Sequence, residues 1–246
     1  MATPLVEFRN VRKRFGPLVV LDGISMCVER GESLVVIGAS GSGKSVMLKH
    51  IVGLLRPDSG EVYFDGQRID TLPESKLMAI RRHCGFLFQM GALFDSLTVG
   101  ENIAFPLLEH TKKSPEEVAR VVAHRLTMVG LPGIERKMPA ELSGGQRKRV
   151  ALARAIALEP EIILYDEPTT GLDPIRSDVI NELIIKLQRE LHTASITVTH
   201  DMNSAIKVAD RIVMLHEGKL IFDGTPQQIQ TTDNPVVKRL DRKSVV

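Results

Sequence analysis

Leu34-Val-Val-Ile-Gly38-Ala-Ser-Gly-Ser-Gly43-Lys44-Ser45 joins an apolar run to the spacing G-x-x-x-x-G-K-[ST], matched at every constrained position. Val46, Met47, Leu48, Ile51 and Val52 then recur at helical spacing, so the loop lies between a buried strand and a helix. Glycines let such a loop curl around a phosphate without Cβ clashes, and its N–H groups point inward at a helix N-terminus, where the dipole favours negative charge. The expected phosphate contacts are Gly38, Ser40, Gly41, Ser42, Gly43, Lys44, Ser45 and Val46. Lys44 adds a point charge for the β- and γ-phosphates, and the Ser45 hydroxyl is placed to ligate Mg²⁺.

The 246 residues suit one large α/β domain, or such a domain with a lobe. Hydrophobic content of 43% and charged content of 25% exclude a disordered chain. The 32 basic and 30 acidic side chains nearly cancel, so no global field argues for nucleic acid. No apolar run reaches the roughly 18 to 20 residues that span a bilayer, and the first residues show no basic region followed by an apolar one. A cytoplasmic protein is expected. Cys27 and Cys84 are too few and too isolated for a disulfide framework or metal cluster, and are expected as small buried hydrophobes.

Residues 5–9 and 24–29 alternate apolar and polar, as half-buried antiparallel strands do. Phe15 lies between them; it suits an aromatic that stacks on a flat base, but an aromatic in a strand-rich segment is more often packing. Pro57-Asp-Ser-Gly60 makes a turn before a strand over 61–66, and residues 74–82 are helical. Cys84-Gly-Phe-Leu-Phe88 is a short strand that delivers Gln89 at its end, where α/β folds place ligand contacts. Three helical segments then follow, about 98–108, 115–130 and 143–158, and read as a lobe inserted into the α/β core. The last opens with Ser143-Gly144-Gly145 and carries three positive charges in Gln146-Arg-Lys-Arg149. The strand Ile162-Ile-Leu-Tyr165 runs into Asp166-Glu167-Pro168, residues 176–191 form an amphipathic helix, and His200 follows the strand 195–199. A hairpin over 212–215 and 220–222 precedes a polar tail with Lys238, Arg239, Arg242 and Lys243.

Two carboxylates at a buried strand end are costly unless they meet a cation. Asp166 can hold Mg²⁺ through its water shell, which leaves Glu167 to orient or deprotonate a water for in-line attack on a γ-phosphate. The plain alternative is a turn opened by Asp-Glu-Pro. His200 can hydrogen-bond a γ-phosphate, and Gln89 can position the metal or the attacking water; most histidines are instead surface or satisfied core groups.

Leu142-Ser143-Gly144-Gly145-Gln146, taken with the phosphate loop, Gln89, Tyr165-Asp166-Glu167, Gly171-Leu-Asp173 and His200 in that order, resembles the nucleotide-binding subunit of an ABC transporter over about residues 5–230. The resemblance implies a P-loop NTPase of α/β class, an ABC-type nucleotide-binding domain with an antiparallel β subdomain and an inserted α-helical lobe. It implies one domain over 1–246: a core of about 5–97 and 159–230, a lobe of 98–158 and a tail of 231–246. It implies ATP and Mg²⁺ as cofactors, with Mg²⁺ at Ser45, Gln89 and Asp166, catalysis by Glu167, His200 and Gln89, and adenine stacking by Phe15. It further implies a head-to-tail dimer in which Ser143, Gly144 and Gly145 of one copy face the γ-phosphate held by Lys44 of the other, with Asp173 coupling the two copies.

A narrower resemblance lies in 88–111, where Gly91-Ala-Leu-Phe-Asp-Ser96 and Pro106-Leu-Leu-Glu-His-Thr111 look like the ATPases of Mla-type and Mce-associated lipid transport systems. It implies an integral-membrane permease dimer, a lipid-binding Mce-domain protein, in some systems a STAS-domain regulator, and a place on the cytoplasmic face of the inner membrane. No nucleic-acid partner is expected: ABC ATPases of DNA or ribosomes need a long coiled-coil insertion or two fused cassettes, which this chain lacks room for. An ABC motor for another cargo differs mainly in that 88–111 stretch.

Overall fold

The computed structural model describes residues 3–238; Arg239, Arg242 and Lys243 of the basic tail lie outside the described residues. The chain forms two compact units, one comprising the residues up to Arg81 together with those from Ala194 onward, the other Arg82–Thr193.

The chain starts with β1 (Val6–Phe15), β2 (Leu18–Val28), β3 (Ser33–Ile37), α1 (Lys44–Ile51), β4 (Ser59–Phe64), β5 (Gln67–Arg68) and α2 (Glu74–Arg82). It continues with β6 (Cys84–Leu87), α3 (Val99–His110), α4 (Pro115–Met128), α5 (Gly144–Ala155), β7 (Ile162–Asp166) and α6 (Pro174–Leu191). It ends with β8 (Ala194–Thr199), α7 (Met202–Val208), β9 (Arg211–His216), β10 (Lys219–Gly224) and α8 (Pro226–Thr231).

In the first unit, β3 pairs in parallel with β8 on one side and β9 on the other, and β10 closes on β9 as a hairpin. Every residue of β3 and β8 is buried. That is why Leu34–Ile37 reads as an unbroken apolar run: a central parallel strand is covered on both faces. The second sheet of this unit is antiparallel, in the order β2-β1-β4-β5. Here Val6 and Phe8 are buried while Glu7 between them is not, the alternation of a sheet with one wet face.

Strands β1 and β2 are longer than their alternation predicts, because β1 is bulged. The register slips between Phe8 and Val11, with Asn10 at φ 50°, so the period of two breaks in mid-strand. Gly60 answers this bulge: a Cβ there would lie 2.3 Å from the Asn10 carbonyl oxygen, and its φ is 88°. The strands meet at a tight tip where Phe15 pairs with Leu18. Phe15 is therefore the last residue of β1, and it is 45% exposed, not packed in a core.

In the second unit, β6 and β7 pair in parallel, and α3, α4 and α5 bury Ile103, Leu107, Val122, Leu126, Val150 and Ala153. All three helices open on a reciprocal capping box, Thr98 with Glu101, Ser114 with Glu117 and Ser143 with Gln146, which satisfies two backbone donors at each start. The spans 98–108, 115–130 and 143–158 fall on these helices, with α5 ending earlier, at Ala155. Gly85 of β6 sits where the Ala155 carbonyl passes, 2.6 Å from where a Cβ would be. Cys27 and Cys84 are in no disulfide with one another and are half-buried, not core residues. Cys27 lies on the wetter face of β2, opposite Met26 and Val28, and Cys84 is the first residue of β6. Among the described residues no helix is long and apolar enough to cross a membrane.

Candidate functional site

The phosphate loop begins where β3 ends. A Cβ on Gly38 would sit 2.4 Å from the Leu215 carbonyl oxygen and 2.7 Å from Ser42 Oγ, so close approach admits only glycine. Gly43 caps α1 at φ 104° with no side-chain cap, packed against Val20 of β2. Ala39, Ser40 and Gly41 are exposed, while Ser42, Ser45 and Val46 are half-buried. Lys44 is buried and donates from Nζ to the carbonyls of Gly38 at 2.8 Å and Ala39 at 3.2 Å. The loop thus folds around its own cation, which the Gly38 and Ala39 carbonyls help hold at the helix start.

The β3–β8 pair brings a second element to this loop. Ile37 and Thr199 are register partners, so His200 leaves the sheet at the same edge as Gly38. His200 is exposed, and its backbone is held in place on either side: Thr199 Oγ1 accepts from Asp201 N–H at 3.0 Å, and Asp201 caps α7. At the hairpin tip, Lys13 Nζ stands 5.6 Å from the centroid of the Phe15 ring.

In the second unit the parallel β6–β7 pair does the same for another two motifs. Leu87 and Tyr165 are register partners, so Gln89, two residues past β6, and Asp166, the last residue of β7, come from one edge. Gln89 is exposed, whereas Asp166 and Glu167 are both 8% exposed. The Tyr165 ring is fully buried, and burial pushes its phenol far up.

Glu167 has φ 49°, a left-handed conformation that costs a non-glycine residue about 1–2 kcal/mol. Its carboxylate accepts from the Thr170 hydroxyl at 3.1 Å, and its carbonyl accepts from Thr170 N–H at 3.2 Å. Lys148 of α5 reaches the same turn, donating to the carbonyls of Pro168 at 2.7 Å, Thr170 at 2.8 Å and Glu167 at 3.4 Å. Sequence reasoning singled out neither Lys148 nor Thr170. A signal for Lys148 was present, since it shares the helical stripe of the buried Ala151 and Leu152.

The Leu142–Gln146 motif opens α5. Leu142 is buried, and Ser143 and Gln146 cap one another, at 2.9 Å from Ser143 N–H to Gln146 Oε1. Gly144 and Gly145 have no steric reason within the chain to be glycine: a Cβ would meet Leu172 at 3.9 Å and Arg176 at 3.8 Å, ordinary contact distances. Asp173 caps α6, accepting from Arg176 N–H at 2.9 Å. A groove of about 450 Å³ lies along α3 and α4, lined by Ala104, Leu108, Val118 and Val122 among others, and Phe94 and Phe105 touch at 5.0 Å between ring centroids with both rings exposed.

Residues 21–170 match the family model described as ABC transporter. The chain belongs to the ABC transporter family.

Within the family it is 42% identical over 98% of its length to the intermembrane phospholipid transport system ATP-binding protein MlaF of Haemophilus influenzae, covering 91% of that protein. It is also 42% identical over 95% of its length to the probable ribonucleotide transport ATP-binding protein Mkl of Mycobacterium tuberculosis, and spans 65% of the length of that relative. Among solved structures, dimeric MJ0796 bound to ADP and Pi matches with TM-score 0.83 at 37% identity, covering 90% of this chain and 98% of that one. CbiO1 of Clostridium perfringens matches with TM-score 0.86 at 29% identity, covering 98% and 96%. The fold is that of these ABC cassettes: a P-loop α/β architecture with an antiparallel sheet and added helices.

Proposed function

We propose that this ABC family member is the ATP-hydrolysing motor of a transporter that moves phospholipid or a related lipid between bacterial membranes. The observation that carries the reading is the match to the Haemophilus phospholipid transport ATPase along nearly the whole of both chains. The Gly91–Thr111 region, with its exposed rings and the α3–α4 groove, suits a surface that grips an integral-membrane permease dimer on the cytoplasmic face of the inner membrane. An Mce-domain lipid carrier and, as in some systems of this kind, a STAS-domain regulator complete the assembly in this reading.

In hydrolysis, Lys44 exchanges its two loop carbonyls for β- and γ-phosphate oxygens, with loop N–H groups from Gly38 to Val46 around them. Ser45, Gln89 and Asp166 offer oxygen donors only, the set that suits Mg²⁺. Held by these residues, Mg²⁺ would neutralise phosphate charge. Glu167, pinned by Thr170, orients the attacking water and takes its proton; His200 donates to the γ-phosphate; Phe15 stacks on adenine. That glycine at 144 and 145 answers no clash within the chain supports a head-to-tail dimer, in which Ser143, Gly144 and Gly145 of one copy close on the ATP of the other and Asp173 couples the two.

The test is to tag the chain, solubilise native membranes in mild detergent, and identify co-purifying proteins and lipids by mass spectrometry. A permease with an Mce-domain protein and bound phospholipid is expected. The mycobacterial relative is named for ribonucleotide transport, so a permease of another class keeps the motor and changes the cargo. Recovery with no membrane partner overturns the transporter reading.

A further inference from the structure

Lys148 is 7% exposed, the one buried cation among the basic residues of α5, where Arg147 is exposed and Arg149 and Arg154 are half-buried. An ammonium carries three donors, and three backbone carbonyls receive it. All three belong to one turn, Glu167 to Thr170. Burial pushes the Lys148 ammonium down to about 8, and the Glu167 carboxylate opposes that shift. A buried cation is tolerated where its donors are all met, and breaking such a set leaves unpaired groups behind.

The turn it holds has a strained residue at its head, Glu167 at φ 49°. Such a conformation persists only when the surroundings over-determine it. Two of the restraints come from within the turn, through Thr170. Lys148 reaches it from a separate element, α5.

We propose that Lys148 is a positioning residue for ATP hydrolysis: it fixes the backbone that aims Glu167 and ties that turn to the helix opening with Ser143-Gly144-Gly145. The inference rests on the reading of Glu167 as the group that orients water. Lys148 lies five positions after Ser143, about 7.5 Å along the helix axis. A shift of the α5 start onto the partner copy's nucleotide is therefore passed through one short rigid segment to the carboxylate of the same subunit. The contact made on one ATP then sets the aim of the group that hydrolyses the other.

The test measures kcat and KM for ATP on the full chain recovered with its native membrane complex. Lys148→Met is expected to lower kcat by about tenfold or more with KM within about twofold, as misaimed catalytic groups do. Lys148→Arg keeps charge and donors, and is expected to return kcat to within about threefold of wild type. If Lys148→Met fails to fold, Lys148→Gln with its amide donors takes its place, with kcat between those of the wild type and a Glu167→Gln protein. A folded Met or Gln variant with wild-type kcat overturns the inference, as does KM rising in step with the loss, or an Arg variant no better than Met. Wild-type protein that hydrolyses no ATP defeats the functional reading as well; an active wild type beside an equally active Lys148→Met defeats this inference alone.

Discussion

Ile37 and Thr199 stand opposite one another in the parallel β3–β8 pair, so that Gly38 and His200 leave the sheet side by side at one edge. His200 is exposed and its backbone is held by hydrogen bonds on either side, so its imidazole lies outside the core. His200→Ala is expected to lower kcat by about tenfold to a hundredfold while ATP affinity and melting temperature stay near wild type. Steady-state phosphate release, nucleotide titration and calorimetry check the three parts. An unchanged kcat removes His200 from the mechanism.

Glu167→Gln keeps an oxygen that the Thr170 hydroxyl can reach, so the turn is preserved while the carboxylate charge is lost. Turnover is expected to fall by at least about a hundredfold with ATP binding intact. On size exclusion the variant is expected as a dimer in ATP and a monomer without it. Hydrolysis at the wild-type rate sinks the role given to this residue.

Gly145→Ala separates a fold requirement from a partner requirement. An added Cβ meets Arg176 at 3.8 Å, and alanine is the better helix former by about 1 kcal/mol, so the isolated chain is expected to be no less stable. ATP-dependent dimerisation and hydrolysis are nonetheless expected to fall by about tenfold or more, because a methyl group intrudes where the partner's phosphate is to lie. A variant that dimerises and hydrolyses normally counts against the head-to-tail arrangement.

Acid stability reports on Asp70. Burial alone would raise its carboxyl, but the Arg68 guanidinium and the Val62 N–H outweigh it and hold it below the ordinary carboxylate value. A depressed carboxyl contributes stability that is present above its unfolded pKa and is lost as pH falls through the folded one. Asp70→Asn is expected to cost about 1–3 kcal/mol at neutral pH and to flatten the fall in melting temperature below about pH 4. Parallel melting curves of the two proteins across that range exclude the assignment.

Local patterns carried the parallel core. Leu34–Ile37 announced a doubly covered strand by its unbroken apolarity, and apolar residues at helical spacing after Ser143-Gly144-Gly145 announced α5. Phe15 was less legible, since the bulge at Asn10 broke the alternation that would have carried β1 to the hairpin tip. The motif residues were legible as types at fixed spacings. The Lys148 cage was not, because its acceptors are backbone carbonyls and carry no sequence signature: any residues at 167, 168 and 170 present the same oxygens. Nor does a sequence show that Gly144 and Gly145 are unconfined within their own chain while Gly38 is hemmed in on two sides.

Phe15, standing out at the tip of the β1–β2 hairpin, has neither donor nor acceptor on its ring. A stacking phenyl group senses the breadth of a purine and is blind to the pattern along its edge. Every other group assigned here to the nucleotide addresses phosphate or metal. In the proposed reading a motor gripped in this way is indifferent to fuel grade: GTP is expected to drive phosphate release nearly as well as ATP, and a preference in the cell would follow which triphosphate is abundant.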